Sequence, residues 1–231
     1  MWGNRQFNRG MEMLTEILLR DRFTVWGKFE EVTVVNNLVY MLAEARIFRR
    51  SAANSLDTEK RRANAVMVIF NPGNCKPIAG TQVGDWTEAK PDKTQFQLMR
   101  LMERMIWDEV VIVNLSDFCE GNAEKLNALV NGYEHAGKVY SRFANDPVSE
   151  WINVISSADR LLYGWGAKPL AKEMADAYRL LDDDYMFTTY GKKPEAVWHS
   201  VKGYPKHPNP QFPVKCAEWL EEMEGVLNGI D

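Results

Sequence analysis

From residue 63 onward the chain repeats one pattern: a short apolar run, a polar or Gly/Pro element, then a segment of helical periodicity. The runs are Ala65 to Phe70 (AVMVIF), Glu109 to Leu115 (EVVIVNL), Arg160 to Gly164 and Ala196 to Ser200 (AVWHS). Short, continuous apolar runs of this kind suit strands covered on both faces. Helical segments lie between and after them: Thr94 to Met105 with Thr94 as its cap, Asn122 to Asn131, a helix opened by Asp146-Pro147, Ala167 to Leu181, and amphipathic Pro213 to Leu227. Strands separated by helices imply crossover connections and parallel pairing. The expected fold is therefore α/β, a three-layer α/β/α sandwich around a four-stranded parallel sheet. Residues 1–62 read differently. Met11 to Arg20 and Asn36 to Arg50 carry apolar residues at helical spacing, so this stretch is expected to be a helical extension packed on a core domain of 63–231.

Charge and composition exclude several classes. The chain has 231 residues and a net charge of −4, which argues against nucleic-acid binding by bulk charge. The charge is uneven, however. Residues 186–215 hold five lysines and one glutamate, interleaved with Tyr190, Trp198, Tyr204 and Phe212. No apolar run is long enough to span a bilayer, and the opening MWGNRQFNRG has no signal-like apolar core, so a cytoplasmic location without membrane contact is expected. Three cysteines and three histidines stand far apart, with no metal-type spacing. Neither a metal nor an organic cofactor is expected.

In open parallel sheets, ligands bind beyond the carboxyl ends of the strands. Here each run ends in a polar or turn-forming element: Asn71-Pro72-Gly73, Asn114-Leu115-Ser116-Asp117, Gly164-Trp165-Gly166-Ala167-Lys168, and, after the fourth run, Lys206-His207-Pro208-Asn209-Pro210. Each alone is an ordinary turn signal. Four on one sheet edge describe a site.

The ordered set FNPG (70–73), VIVNL (111–115), YGWGAK (163–168) and HPNP (207–210) resembles the uracil-DNA glycosylase superfamily. More closely it resembles an uncharacterised bacterial and phage family with the same N-P…N-L…W-G…H-P order. The resemblance covers roughly residues 63–215. It implies a monofunctional DNA N-glycosylase that flips a pyrimidine-type base and hydrolyses its N-glycosidic bond, in base excision or defence against phage.

By that resemblance Asn71 orients the attacking water, Asn114 reads the base edge, and His207 stabilises charge on the departing base. An amide cannot take a proton but can hold a water, and a neutral imidazole can donate to a carbonyl oxygen. Gly73 stands where strict uracil enzymes carry a Tyr that blocks the C5 face, which implies room for a C5-substituted base. Trp86 and Phe96, in the loop after the first run, are the candidates for the aromatic that stacks on the base, and Phe70, counted with the base-binding residues, reads rather as core. Asp85 and Asp117 are candidate carboxylate bases. Lys168, at a helix start, Lys206, Asn209 and Phe212 are expected to contact DNA. Asn209 replaces a Ser of the family loop, and Phe212, the nearest apolar wedge, comes two residues late. The expected partner is DNA, bound by a monomer. A non-catalytic module that binds nucleic acid or a nucleotide on the same fold is the alternative, and a hydrolase of free N-glycosides is a third reading.

Overall fold

The computed structural model describes residues 14–34, 36–52, 62–79, 86–136, 138, 140–141 and 150–230. In chain order these form α1 (Glu16–Arg22), β1 (Phe23–Val34), β2 (Asn37–Arg49), β3 (Ala65–Ile69), β4 (Lys76–Pro77), β5 (Trp86–Lys90), α2 (Lys93–Met105) and β6 (Glu109–Asn114). There follow α3 (Ala123–His135), α4 (Glu150–Ser157), β7 (Arg160–Tyr163), α5 (Pro169–Ala177), α6 (Asp183–Tyr190), β8 (Pro194–Glu195) and α7 (Pro213–Asn228).

All eight strands join one mixed sheet in the order β4-β5-β1-β2-β6-β3-β7-β8. On one side β3 pairs parallel with both β6 and β7, and β7 pairs parallel with β8. On the other side every pairing is antiparallel, from β2 against β6 outward to β4 against β5. The sheet is thus twice the expected size and mostly antiparallel, and a four-stranded parallel sheet does not describe it.

The correction lies in the N-terminal region. Asn36 to Arg50 is not a helix but, over Asn37–Arg49, the second arm of a long hairpin that extends the sheet through β6. Residues 41–48 are covered on both faces, apart from a partly exposed Arg46, so polar and apolar positions do not alternate. A run without alternation fits helical spacing equally well, and strand pairing decides it. The expected Met11–Arg20 helix is observed as the shorter α1, with residues 1–13 outside the described set. The fourth strand is the two-residue β8, just before the expected Ala196–Ser200. The helix expected to open at Asp146-Pro147 is described as α4 from Glu150, and its expected start lies outside the described residues. The expected Ala167–Leu181 helix is the shorter α5, and a further helix, α6, follows it.

Alternation along β3 builds the core on both sheet faces. Val66 and Val68 join Leu126 and Val130 of α3, Ile155 of α4, Met174 of α5 and Met186 of α6. Ala65, Met67 and Ile69 join Leu19 of α1, Met99 of α2, and Trp219 and Met223 of α7. Each such buried side chain contributes about 1.5–3 kcal/mol, so β3 is held from both sides. Its carboxyl end is thereby a rigid platform.

Candidate functional site

The chain leaves β3 through Phe70-Asn71-Pro72-Gly73. A hydrogen bond from the Cys75 amide to the Pro72 carbonyl (3.1 Å) closes a tight turn, with Gly73 at φ +60°. That φ is strained for any side chain. A Cβ on Gly73 would also lie 2.7 Å from Asp92 Oδ2. A carboxylate thus borders the space beyond Gly73.

Asn71 is positioned by the loop after β6. Its Nδ2 donates to the Glu120 carbonyl at 2.5 Å and faces the Phe118 carbonyl at 3.5 Å. Both neighbours are acceptors, so the NH2 must point at them. Oδ1 then points the other way, and it accepts no hydrogen bond from the described residues. The same loop locks the turn a second time, because a Cβ on Gly121 would lie 2.8 Å from Asn74 Nδ2.

Asp92 was not among the residues singled out from the sequence. It is the N-cap of α2: Oδ1 accepts from the Gln95 amide at 2.9 Å, and the Gln95 side chain accepts from the Asp92 amide at 3.0 Å. This is a capping box. Its signature, D-x-x-Q, is present in PDKTQ, and Thr94, the cap expected from the sequence, is instead the buried second residue of the helix. Burial pushes the Asp92 carboxyl up to about 6, against partial relief from the Gln95 and Thr94 amides.

The second half of the site leaves β7, the neighbour of β3. The Gly164 amide donates to the Val68 carbonyl (2.9 Å), so both turns emerge from one sheet edge. The HPNP loop packs on this turn. A Cβ on Gly164 would lie 2.9 Å from Pro208 Cδ, and one on Gly166, at φ +77°, 3.2 Å from His207 Cβ. His207 Nδ1 lies 3.1 Å from both the amide and the carbonyl of Asn209. Nδ1 is thus satisfied with or without a proton, and the neutral form that takes the Asn209 N–H carries its proton on Nε2. Burial lowers the affinity of His207 for a second proton, against the Asn209 bond, and so keeps the ring neutral near pH 7. A cavity of about 510 Å³ lies beside it, bounded by Gly166, His199, Tyr204, Lys206, His207 and Trp219, among others. Trp219 is buried, and its Nε1 has no hydrogen-bond partner among the described residues.

Other expected residues fall elsewhere. Asn114 ends β6 beside Ile69, but it is only 2% exposed and donates to the Leu42 carbonyl at 3.3 Å, while its Oδ1 stays unpaired. Phe70 and Phe96 are core residues and offer no free ring face. Trp86 starts β5, four strands from β3, with Lys28 and Arg46 over its ring at 4.9 and 5.2 Å. Asp117 is buried, and Asp85 lies outside the described residues. Lys168 is the exposed N-cap residue of α5, making no side-chain cap bond. Lys206 pairs with Glu222 at 2.5 Å. Asn209 Oδ1 accepts from Cys216 Sγ at 3.5 Å. Phe212 stands 63% exposed at the start of α7. No described helix is long and apolar enough to cross a membrane.

No family model, curated protein or solved structure matches the chain.

Proposed function

We propose that the chain is a monofunctional DNA N-glycosylase built on a uracil-DNA glycosylase-like α/β/α core, acting on a flipped pyrimidine-type base. The observation that carries this reading is that the turn after β3, with an amide acceptor, and the turn after β7, on which a neutral imidazole donor packs, leave one sheet edge. Asn71 Oδ1 suits the hydrogen of an attacking water, and His207 Nε2–H suits a carbonyl oxygen that gains charge as the base leaves. Cleavage with oxocarbenium character needs positioning more than nucleophilic push. A bulky C5 group would have to clear the Asp92 carboxylate beside Gly73. DNA contact falls to Lys168, the exposed Phe212 and the HPNP loop.

One observation favours the alternative, a module that binds nucleic acid without cutting the glycosidic bond. Asn114, the expected base reader, is buried and already engaged by backbone. The two readings separate on product. Oligonucleotides carrying uracil, mismatched thymine or 5-hydroxymethyluracil are incubated with the protein, and free base and abasic sites are measured. Release that falls about 10²-fold or more in Asn71→Ala and in His207→Ala supports the enzyme. Binding without release from any substrate supports the module.

A further inference from the structure

We propose that Asp92 is the catalytic base of this site, taking a proton from the water that Asn71 holds; the assignment rests on the glycosylase reading above. Asn71 can orient a water but cannot accept its proton. A carboxylate borders the turn: Asp92 Oδ2 stands 2.7 Å from where a side chain on Gly73, two residues after Asn71, would begin. The capping bond occupies Oδ1, and a carboxylate has about four lone-pair positions, so Oδ2 keeps room for a water hydrogen. Gly73 is what permits the approach, since any larger residue there would strike this oxygen.

The surroundings suit a base. Asp92 makes no ion pair with a described residue. The titratable groups that feel it are the thiols of Cys75 and Cys119, both held protonated by burial, with Asp117 and Lys76 acting on Cys119 as well. Nothing among these neutralises the carboxylate. Its elevated proton affinity, near pH 6, places it closer to the working pH than an ordinary Asp, which favours proton transfer.

In the step so assigned, one water O–H bond breaks and its proton passes to Asp92 Oδ2. The water oxygen bonds to the anomeric carbon of the sugar. The bond from that carbon to the base nitrogen breaks, its electron pair leaves with the base, and His207 Nε2–H donates to the base oxygen that gains charge. Asp92 then returns its proton to solvent or to the released base.

The test is single-turnover base release by the full chain between pH 5 and 9, on the oligonucleotides named above, beside thermal unfolding. Asn and Ser both cap helices well, so Asp92→Asn and Asp92→Ser remove the base while preserving the start of α2. Wild-type release is expected to fall as pH drops through about 6. Both variants are expected to fold, to bind DNA, to release base at least about 10²-fold more slowly, and to lack that acid limb. Wild-type rates and an unchanged limb in both variants, with Asn71→Ala inactive, would overturn the role of Asp92 alone. No release by the wild-type chain on any substrate would overturn the glycosylase reading and this assignment with it.

Discussion

A carboxylate that caps a helix and also borders a tight turn has two roles that pull its proton affinity in opposite directions. Capping favours the ionised form of Asp92, while withdrawal from water favours the neutral form, and burial wins. The consequence for stability has a definite sign. Because the folded-state value of about 6 lies above the ordinary value, the contribution is fully present below pH ~4 and is lost as pH rises through about 6. From pH 4 to pH 8 the wild type should lose roughly 1–3 kcal/mol relative to Asp92→Asn, measured by urea unfolding across that range. Gly73→Ala meets the same carboxylate from the other side. A positive φ and a 2.7 Å approach to Oδ2 should together cost about 1–3 kcal/mol, read as a lowered Tm. At this scale short turn motifs name Asn71, Gly73 and His207 directly, and their loops lie at the ends of β3 and β7. Phe70 is core, as its apolar run suggests, whereas Phe96 is core against expectation, because an aromatic near a motif gives no hint of which way its ring faces. Asp92 is hard to single out because Thr94, two residues on, is also a capping residue type.

Elements carry the site by their direction as well as their presence. β3 and β7 run parallel and end together, which brings the Asn71 turn and the His207 loop to one edge. Their apolar runs were readable because both faces are covered by helices. That same coverage hid β2, whose buried run passes for a helix until its partner β1 is known. The seam between the antiparallel and parallel halves lies where β2 meets β6. There Arg46 bridges the largely buried carboxylates of Glu44 (2.6 Å) and Glu109 (3.0 Å), with Lys28 also 3.8 Å from Glu44. Removing the guanidinium takes the closest cation from Glu44, which keeps Lys28 at 3.8 Å, and breaks the pairing of buried Glu109, which is costlier than losing a surface ion pair. Arg46→Ala is expected to destabilise the chain by about 3–5 kcal/mol, seen as a lower urea midpoint. Unfolding that begins at this seam would also loosen the loop after β6, whose Glu120 carbonyl orients Asn71.

Across the whole molecule, a sheet of eight strands with helices on both faces serves as a stiff frame for one edge. The long hairpin enlarges the frame. It places Trp86, Lys28 and Arg46 on the far half of the sheet, away from the turns. The basic stretch of 186–215 survives as a surface feature only in part, since Lys206 and Lys215 are paired with Glu222 and Glu218 of α7. DNA engagement is thus expected to rely on a few positioned groups around the HPNP loop rather than on net charge. The proposed activity of this edge is cleavage of an N-glycosidic bond. Its most direct measurement is quantification of free base from pyrimidine-modified oligonucleotides with the wild-type chain, Asn71→Ala and His207→Ala side by side. Release by the wild type that drops about 10²-fold or more in each variant, with folding and DNA binding retained, is the expected result. Tight DNA binding by the wild type without any free base would contradict it.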